Sequence, residues 1–203
     1  MQDSKLIGLL KTFEKEDWRW FRKFLLSPYF NSREELVPFF DYLRNQSPDF
    51  KEKAIKKEKV FKKIFPKQVY NEKQISYSMN FLLNQAERFL AQKEYESQEP
   101  LQNNHLQKSL VNRQLDKHYK FQYDKSEEFL EQRKHESIDY YLFKYQRSEI
   151  ANIHYNNKNL RRYDPNLQAT SDDLDKFYLI HKLKCCCEMV SSCLLYTSPS
   201  PRD

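Results

Sequence analysis

The 203 residues contain a single glycine, Gly8, with 15% aromatic and 39% hydrophobic side chains and a formal charge of +6. One glycine cannot write a phosphate-cradling loop or a dinucleotide-binding turn, which excludes P-loop and Rossmann-type nucleotide binding and favours helices over hairpins. The charge is local: between Lys51 and Lys67 eight lysines face two acids, Glu52 and Glu58, so this segment holds all six net charges and the rest of the chain sums to zero.

The first ten residues lack a basic region leading into an apolar run, and no stretch of about eighteen apolar residues occurs anywhere, so neither a signal peptide nor a membrane span is expected and the reading is cytoplasmic. A short helix is expected at about residues 4–12, capped by Asp3 or Ser4, with Leu6, Leu9, Leu10 and Phe13 on its apolar side. A second, at about 15–26, places Trp18, Phe21, Phe24 and Leu25 inward and stops at Ser27-Pro28. Tyr29 and Phe30 read as a staple or core pair, with an exposed anchor as the alternative. Ser32 and Glu35 have capping-box spacing and predict the start of a third helix, which buries Leu36, Val37, Phe39, Phe40 and Leu43 while Pro38 kinks it or delays its start.

The lysine-rich segment predicts a basic helix over 51–65, with Ala54, Phe61 and Phe65 on one side and Lys56, Lys59 and Lys63 opposite. After Pro66 the stripe Ile75, Met79, Leu82, Leu83, Ala86, Phe89, Leu90 predicts a long helix at about 72–93 with Asn71 as its cap. Further helices are expected at about 100–132, with a break near Asn112, then at 137–155 and at 171–191. Thirty-seven residues separate Tyr140-Tyr141-Leu142 from Phe177-Tyr178-Leu179, an interval within the range of helical-hairpin repeats, although the Trp, Gly and Ala positions of tetratricopeptide units are missing.

Three stretches carry a resemblance: Trp18-Arg19-Trp20-Phe21, the run Lys-Phe-Leu-Leu-Ser-Pro-Tyr-Phe-Asn ending at Asn31, and the region from Leu174 to Cys185. Together they resemble an uncharacterised family of bacterial all-helical hypothetical proteins, which implies a helical fold and brings no activity. Residues 193–203, from Cys193 through Tyr196, Pro199 and Pro201 to Asp203, resemble translated sequencing adapter. On that reading they are a non-native tail and the chain is an N-terminal fragment.

Catalytic and metal-binding patterns are weak. His181 and Cys185 lie one helical turn apart, but two ligands do not make a zinc site, and core packing is the favoured role for Cys185, Cys186 and Cys187 in a reducing compartment. His105, His118, His135 and His154 form no metal-binding spacing and read as surface or half-buried residues. Asp172, Asp173 and Asp175 follow Thr170-Ser171 and read as acids at a helix start, opposing the macrodipole. Tyr140, Tyr141 and Tyr145 read as inward rings with outward hydroxyls.

The expectation is an all-α chain: an irregular N-terminal bundle over 1–95, antiparallel helical hairpins over 96–192, with a tetratricopeptide- or HEAT-like α-solenoid as one form of the latter, and the 193–203 tail. No catalytic residue, cofactor or metal is assigned. The first functional expectation is a non-enzymatic protein-interaction or scaffold protein with protein partners and no membrane or small-molecule partner. The alternatives are nucleic-acid or anionic-surface contact through Lys56, Lys59 and Lys63, and an enzyme whose catalytic part is missing.

Overall fold

In a computed structural model, residues 1–132, 137–158 and 165–197 are described. They are all-helical, and the nine helices among them are α1 (Lys5–Leu10), α2 (Lys15–Leu26), α3 (Leu36–Arg44), α4 (Lys57–Ile64), α5 (Glu72–Ser97), α6 (Glu99–Asn112), α7 (Asp116–Gln132), α8 (Ile138–Asn156) and α9 (Pro165–Thr197). No helix among the described residues is long and apolar enough to cross a membrane. The chain divides into two compact units, Met1–Glu94 and Tyr95–Asp203.

The first unit is organised by aromatic rings. Phe13, Trp18, Phe21, Phe24, Phe40, Phe50 and Phe89 form one contiguous core, with ring centroids between 5.0 and 6.4 Å apart for pairs such as Phe21–Phe40 and Trp18–Phe50. Edge-to-face and offset contacts of this kind add to the gain from burying so much apolar area. Ser4 caps α1, as expected, by accepting from the Ile7 amide. Asp17 serves two ends: its Oδ2 accepts from the Glu14 amide at the start of α2, and its Oδ1 receives Lys93 Nζ of α5 at 2.6 Å. Arg22 donates twice to Asp41, at 2.8 and 3.0 Å, and so fixes α2 against α3 in a bidentate pair.

The predicted capping box at Ser32 does not form. Asn31 takes over the connection instead: its amide donates to the carbonyls of Leu25 and Arg33, and its oxygen accepts from the Arg33 amide, all at 2.9 Å. That turn delays α3 to Leu36, where Pro38 falls in the first helical turn and its missing N–H leaves no bond unmade. The two aromatics before it part company. Phe30 stacks on Phe24 at 4.1 Å, whereas Tyr29 stands 86% exposed.

The basic helix is shorter than the expected 51–65. Lys51 to Ile55 form a turn that buries Ile55 and sends the Ala54 carbonyl to the Tyr42 hydroxyl at 2.7 Å, so α4 begins only after Lys56, its N-cap. In α5 the Asn71 side chain accepts from the Lys73 and Gln74 amides, and the anticipated stripe packs inward.

In the second unit, α6 packs on α7 and α8, and α8 pairs with α9. Asp116 meets His154 while Ser126 meets Arg147, which sets α7 and α8 antiparallel. The break near Asn112 is a Schellman cap. Leu115 N–H donates to the Leu110 carbonyl and Gln114 N–H to that of Val111, with Gln114 at φ 57° in the position that glycine usually takes. The apolar core here is small, Val111, Tyr119 and Ile150 with Leu110 and Tyr123 against it, and a polar layer adjoins it. Arg147, 5% exposed, donates to Ser126 Oγ, the Tyr123 carbonyl and Glu127, and its guanidinium lies 3.6 Å from the Tyr123 ring centre.

The last helix departs most from expectation. It runs from Pro165 rather than from near 171. Asp172, Asp173 and Asp175 therefore lie within the helix and are not helix-start acids. Asp173 is buried and accepts from Ser148 Oγ at 2.7 Å, with Lys144 at 3.4 Å.

Candidate functional site

Two surfaces and one side-chain cluster stand out, and each belongs to a single unit. On α4, Val60 and Phe61 are buried, and the side chains of Lys59, Lys62 and Lys63 are exposed. Successive residues turn by about 100° around a helix. Lys59 and Lys62 thus occupy the middle of the free face, while Lys56 and Lys63 sit at its edge, flanking buried Val60. The sequence pattern centred that face one residue away from where it lies, because it used Ala54 and Phe65, which are outside α4, as apolar markers. Lys62 went unassigned for the same reason.

Of the eight lysines between Lys51 and Lys67, only Lys51, 3.8 Å from Asp49, and Lys57, 3.0 Å from Glu72, have an ion-pair partner among the described residues. Lys57 also donates to Ser76 Oγ at 3.3 Å, and Tyr70 sets its ring edge-on to Phe61 at 5.4 Å. These contacts join α4 to the first turns of α5. There, one groove of about 650 Å³ is lined by Tyr70, Asn71, Glu72, Lys73, Ser76, Tyr77 and Asn80. A second, of about 500 Å³, shares Asn71, Lys73 and Tyr77 and adds Arg33, Glu35, Gln74, Ser78 and Phe81. Tyr77 rises between the two and is 63% exposed. The sequence signal for it was present: Tyr77 falls opposite the Ile75, Met79, Leu82 stripe, where a large aromatic has no core to fill.

The second surface is α9. Asp173 is the only fully buried side chain described on it, whereas Leu174, Tyr178, Leu179, Leu183, Met189 and Val190 are 43–63% exposed. His181 stacks on Phe177 at 5.7 Å and faces solvent, Cys185 and Cys186 are half-buried and Cys187 is exposed, so core packing does not describe this group. The 37-residue interval also pairs unlike environments, since Tyr140 is buried and Phe177 only partly so, while Tyr178 and Leu179 face outward. Among the described residues no group of three or more metal-ligating side chains comes together.

The cluster lies between α7 and α8. Asp116 accepts from His154 Nε2 at 2.8 Å and has Lys158 Nζ at 3.4 Å, and this hydrogen bond from His154 lowers the Asp116 carboxyl below its ordinary value. The His154 ring lies 4.1 Å from that of Tyr119, whose hydroxyl burial pushes its pKa up. A groove of about 510 Å³ runs beside them. Asp116 orients the imidazole, and the pair ties α7 to α8. His105 and His118 are exposed, His154 is half-buried, and His135 lies outside the described residues.

Comparison with protein-family models, with curated proteins and with solved structures gave no match.

Proposed function

We propose that this is a non-enzymatic protein-interaction protein, and that an amphipathic helix of a protein partner docks along α9. The observation that carries this reading is the exposed apolar row Leu179, Leu183 and Val190 on one face of a continuous helix. Apolar side chains left exposed in a row along one helical face mark an interaction site, whereas singly scattered ones do not. The spacings of four and seven residues from Leu179 to Leu183 to Val190 keep the three within about 40° around the helix and suit the ridges of a second helix. Charge along it is mixed, with Asp172, Asp175, Lys176, Lys182, Lys184 and Glu188 interspersed, so neither a polyanion nor a polycation is favoured there.

A photo-crosslinking amino acid placed at Leu179 tests the proposal in cells. The expected result is a discrete protein adduct whose linked peptide is an amphipathic helix, lost when Leu183→Glu and Val190→Glu are introduced. Both side chains are exposed, so these changes alter folding stability by no more than about 0.5 kcal/mol. An adduct that survives both substitutions, or none at all, would overturn the reading.

A further inference from the structure

We infer that the solvent face of α2, in the first unit, binds an acidic segment of a protein partner, with Trp20 and Leu26 receiving an apolar side chain and Arg19 and Lys23 receiving the carboxylates that flank it. The inference is independent of the α9 reading, since it rests on other residues in the other unit.

Helix geometry brings these four side chains together. Trp18, Phe21, Phe24 and Leu25 turn inward and are buried. At about 100° per residue, Arg19, Trp20, Lys23 and Leu26 share an arc of about 120° on the opposite side. All four are exposed, Trp20 by 47% and Leu26 by 52%. Lys23 Nζ lies 4.5 Å from the Trp20 ring centre and the Arg19 guanidinium carbon 5.1 Å from it, so both cations are held at the indole. Neither has an ion-pair partner among the described residues. Past the end of α2, Phe30 stacks on Phe24 at 4.1 Å and meets Tyr29 edge-on at 5.0 Å, which anchors that exposed ring beside the helical turn after Trp20.

An ordered indole beside an aliphatic side chain and a guanidinium has the composition of a binding hot spot, because Trp, Tyr and Arg offer large contact area for little lost side-chain freedom. Charge then selects the class of partner. Arg19 and Lys23 share their arc with one acid, Glu16, and two cations against one acid leave a single net positive charge. Polyphosphates and anionic bilayers are held by several cations acting together. One net charge around an apolar centre instead suits a peptide with a few carboxylates, which Arg19 can take in a two-bond fork. Glu16, one turn nearer the helix start, sets the direction by repelling carboxylates from that end.

Fluorescence anisotropy of labelled short peptides titrated with the full chain tests this. The panel carries leucine, phenylalanine or tryptophan flanked on both sides by glutamate, with matched peptides in which glutamine replaces glutamate or alanine replaces the apolar residue. At least one glutamate-flanked peptide is expected to bind at least about tenfold more tightly than both of its matched controls. Trp20→Ala should weaken that binding about 10- to 100-fold. Arg19→Glu combined with Lys23→Glu should reverse the choice, so that lysine-flanked peptides bind and glutamate-flanked ones do not, a result that damage to the fold does not give. Circular dichroism of each variant checks that the helices persist. The inference is overturned by any of five results: no peptide binds, the glutamine controls bind equally, Trp20→Ala has no effect, the charge reversal does not switch the preference, or phosphatidylserine vesicles or single-stranded RNA bind the chain more tightly than every peptide.

Discussion

Asp173 illustrates how one side chain changes meaning with its depth. At a helix start it would gain a few tenths of a kcal/mol from the macrodipole. Inside α9, 5% exposed, it is the acceptor for the Ser148 hydroxyl and the counter-charge for Lys144. Removing it leaves a buried hydroxyl without its partner, so Asp173→Ala should cost about 1–3 kcal/mol in urea unfolding, whereas Asp173→Asn, which still accepts from Ser148, should cost less. Equal losses in the two variants would mean that the Lys144 pair, not the hydroxyl, carries the effect. Asp116 makes a second residue-level test. Its carboxyl is held below the ordinary value by the His154 hydrogen bond and by Lys158, so its contribution to stability is present above the unfolded value of about 3.9 and is lost as pH falls through the lower folded value. The stability difference between the natural chain and Asp116→Asn should therefore be smaller below about pH 4 than at about pH 5. A difference that stays constant through that range would show that the folded carboxyl titrates as it does in the unfolded chain.

At the level of elements, what the sequence made legible was whatever periodicity and local capping decide. The bounds of α2 were readable because Trp18, Phe21 and Leu25 recur on one face and Pro28 follows; Asn71 and Ser4 were readable as caps because their side chains act on amides two or three residues away. Elements set by distant contacts were not. The delayed start of α3 depends on Asn31 reaching back to Leu25, and the turn before α4 depends on Tyr42 holding the Ala54 carbonyl, neither of which leaves a local signature. The lysine face was found but mis-centred for that second reason, and Tyr77 passed unnoticed although its position was already available from the stripe. The α6–α7 junction was visible only as a weak break because its left-handed residue is Gln114 rather than glycine. That supplies a prediction. A side chain with a Cβ is strained in this conformation, so Gln114→Gly should stabilise the chain by about 0.5–1 kcal/mol despite the greater freedom of glycine when unfolded. A loss of stability on thermal melting would show that the Gln114 side chain makes a contact worth more than the strain.

For the whole molecule, the contrast between the two units matters more than their shared helicity. Met1–Glu94 closes around a ring-on-ring core in which Phe21 alone contacts Phe13, Phe24, Phe40 and Phe89. Among the described residues Tyr95–Asp203 has a small apolar cluster of Val111, Tyr119 and Ile150, with Leu130, Tyr140 and Ala151 buried apart from it, beside a layer of Gln107, Ser126 and Arg147, and its last helix is buried along one edge only. Local opening costs free energy in proportion to the apolar contact it breaks, so the units should open separately and at different depths. Native-state hydrogen exchange provides the measurement. Amides in α2, α3 and the Ile75 to Phe89 part of α5 should be protected at least roughly 100-fold more than those of α8, an opening free energy about 3 kcal/mol larger, and the half of α9 after Ile180 should exchange fastest. If α9 binds a helical partner as proposed, adding that partner should slow exchange in this half and leave the aromatic unit unchanged, because a ligand raises protection only where opening breaks its site. Equal protection across both units in the free chain would instead require that they fold as one cooperative body, and the small polar core would then have to be as stabilising as the aromatic one.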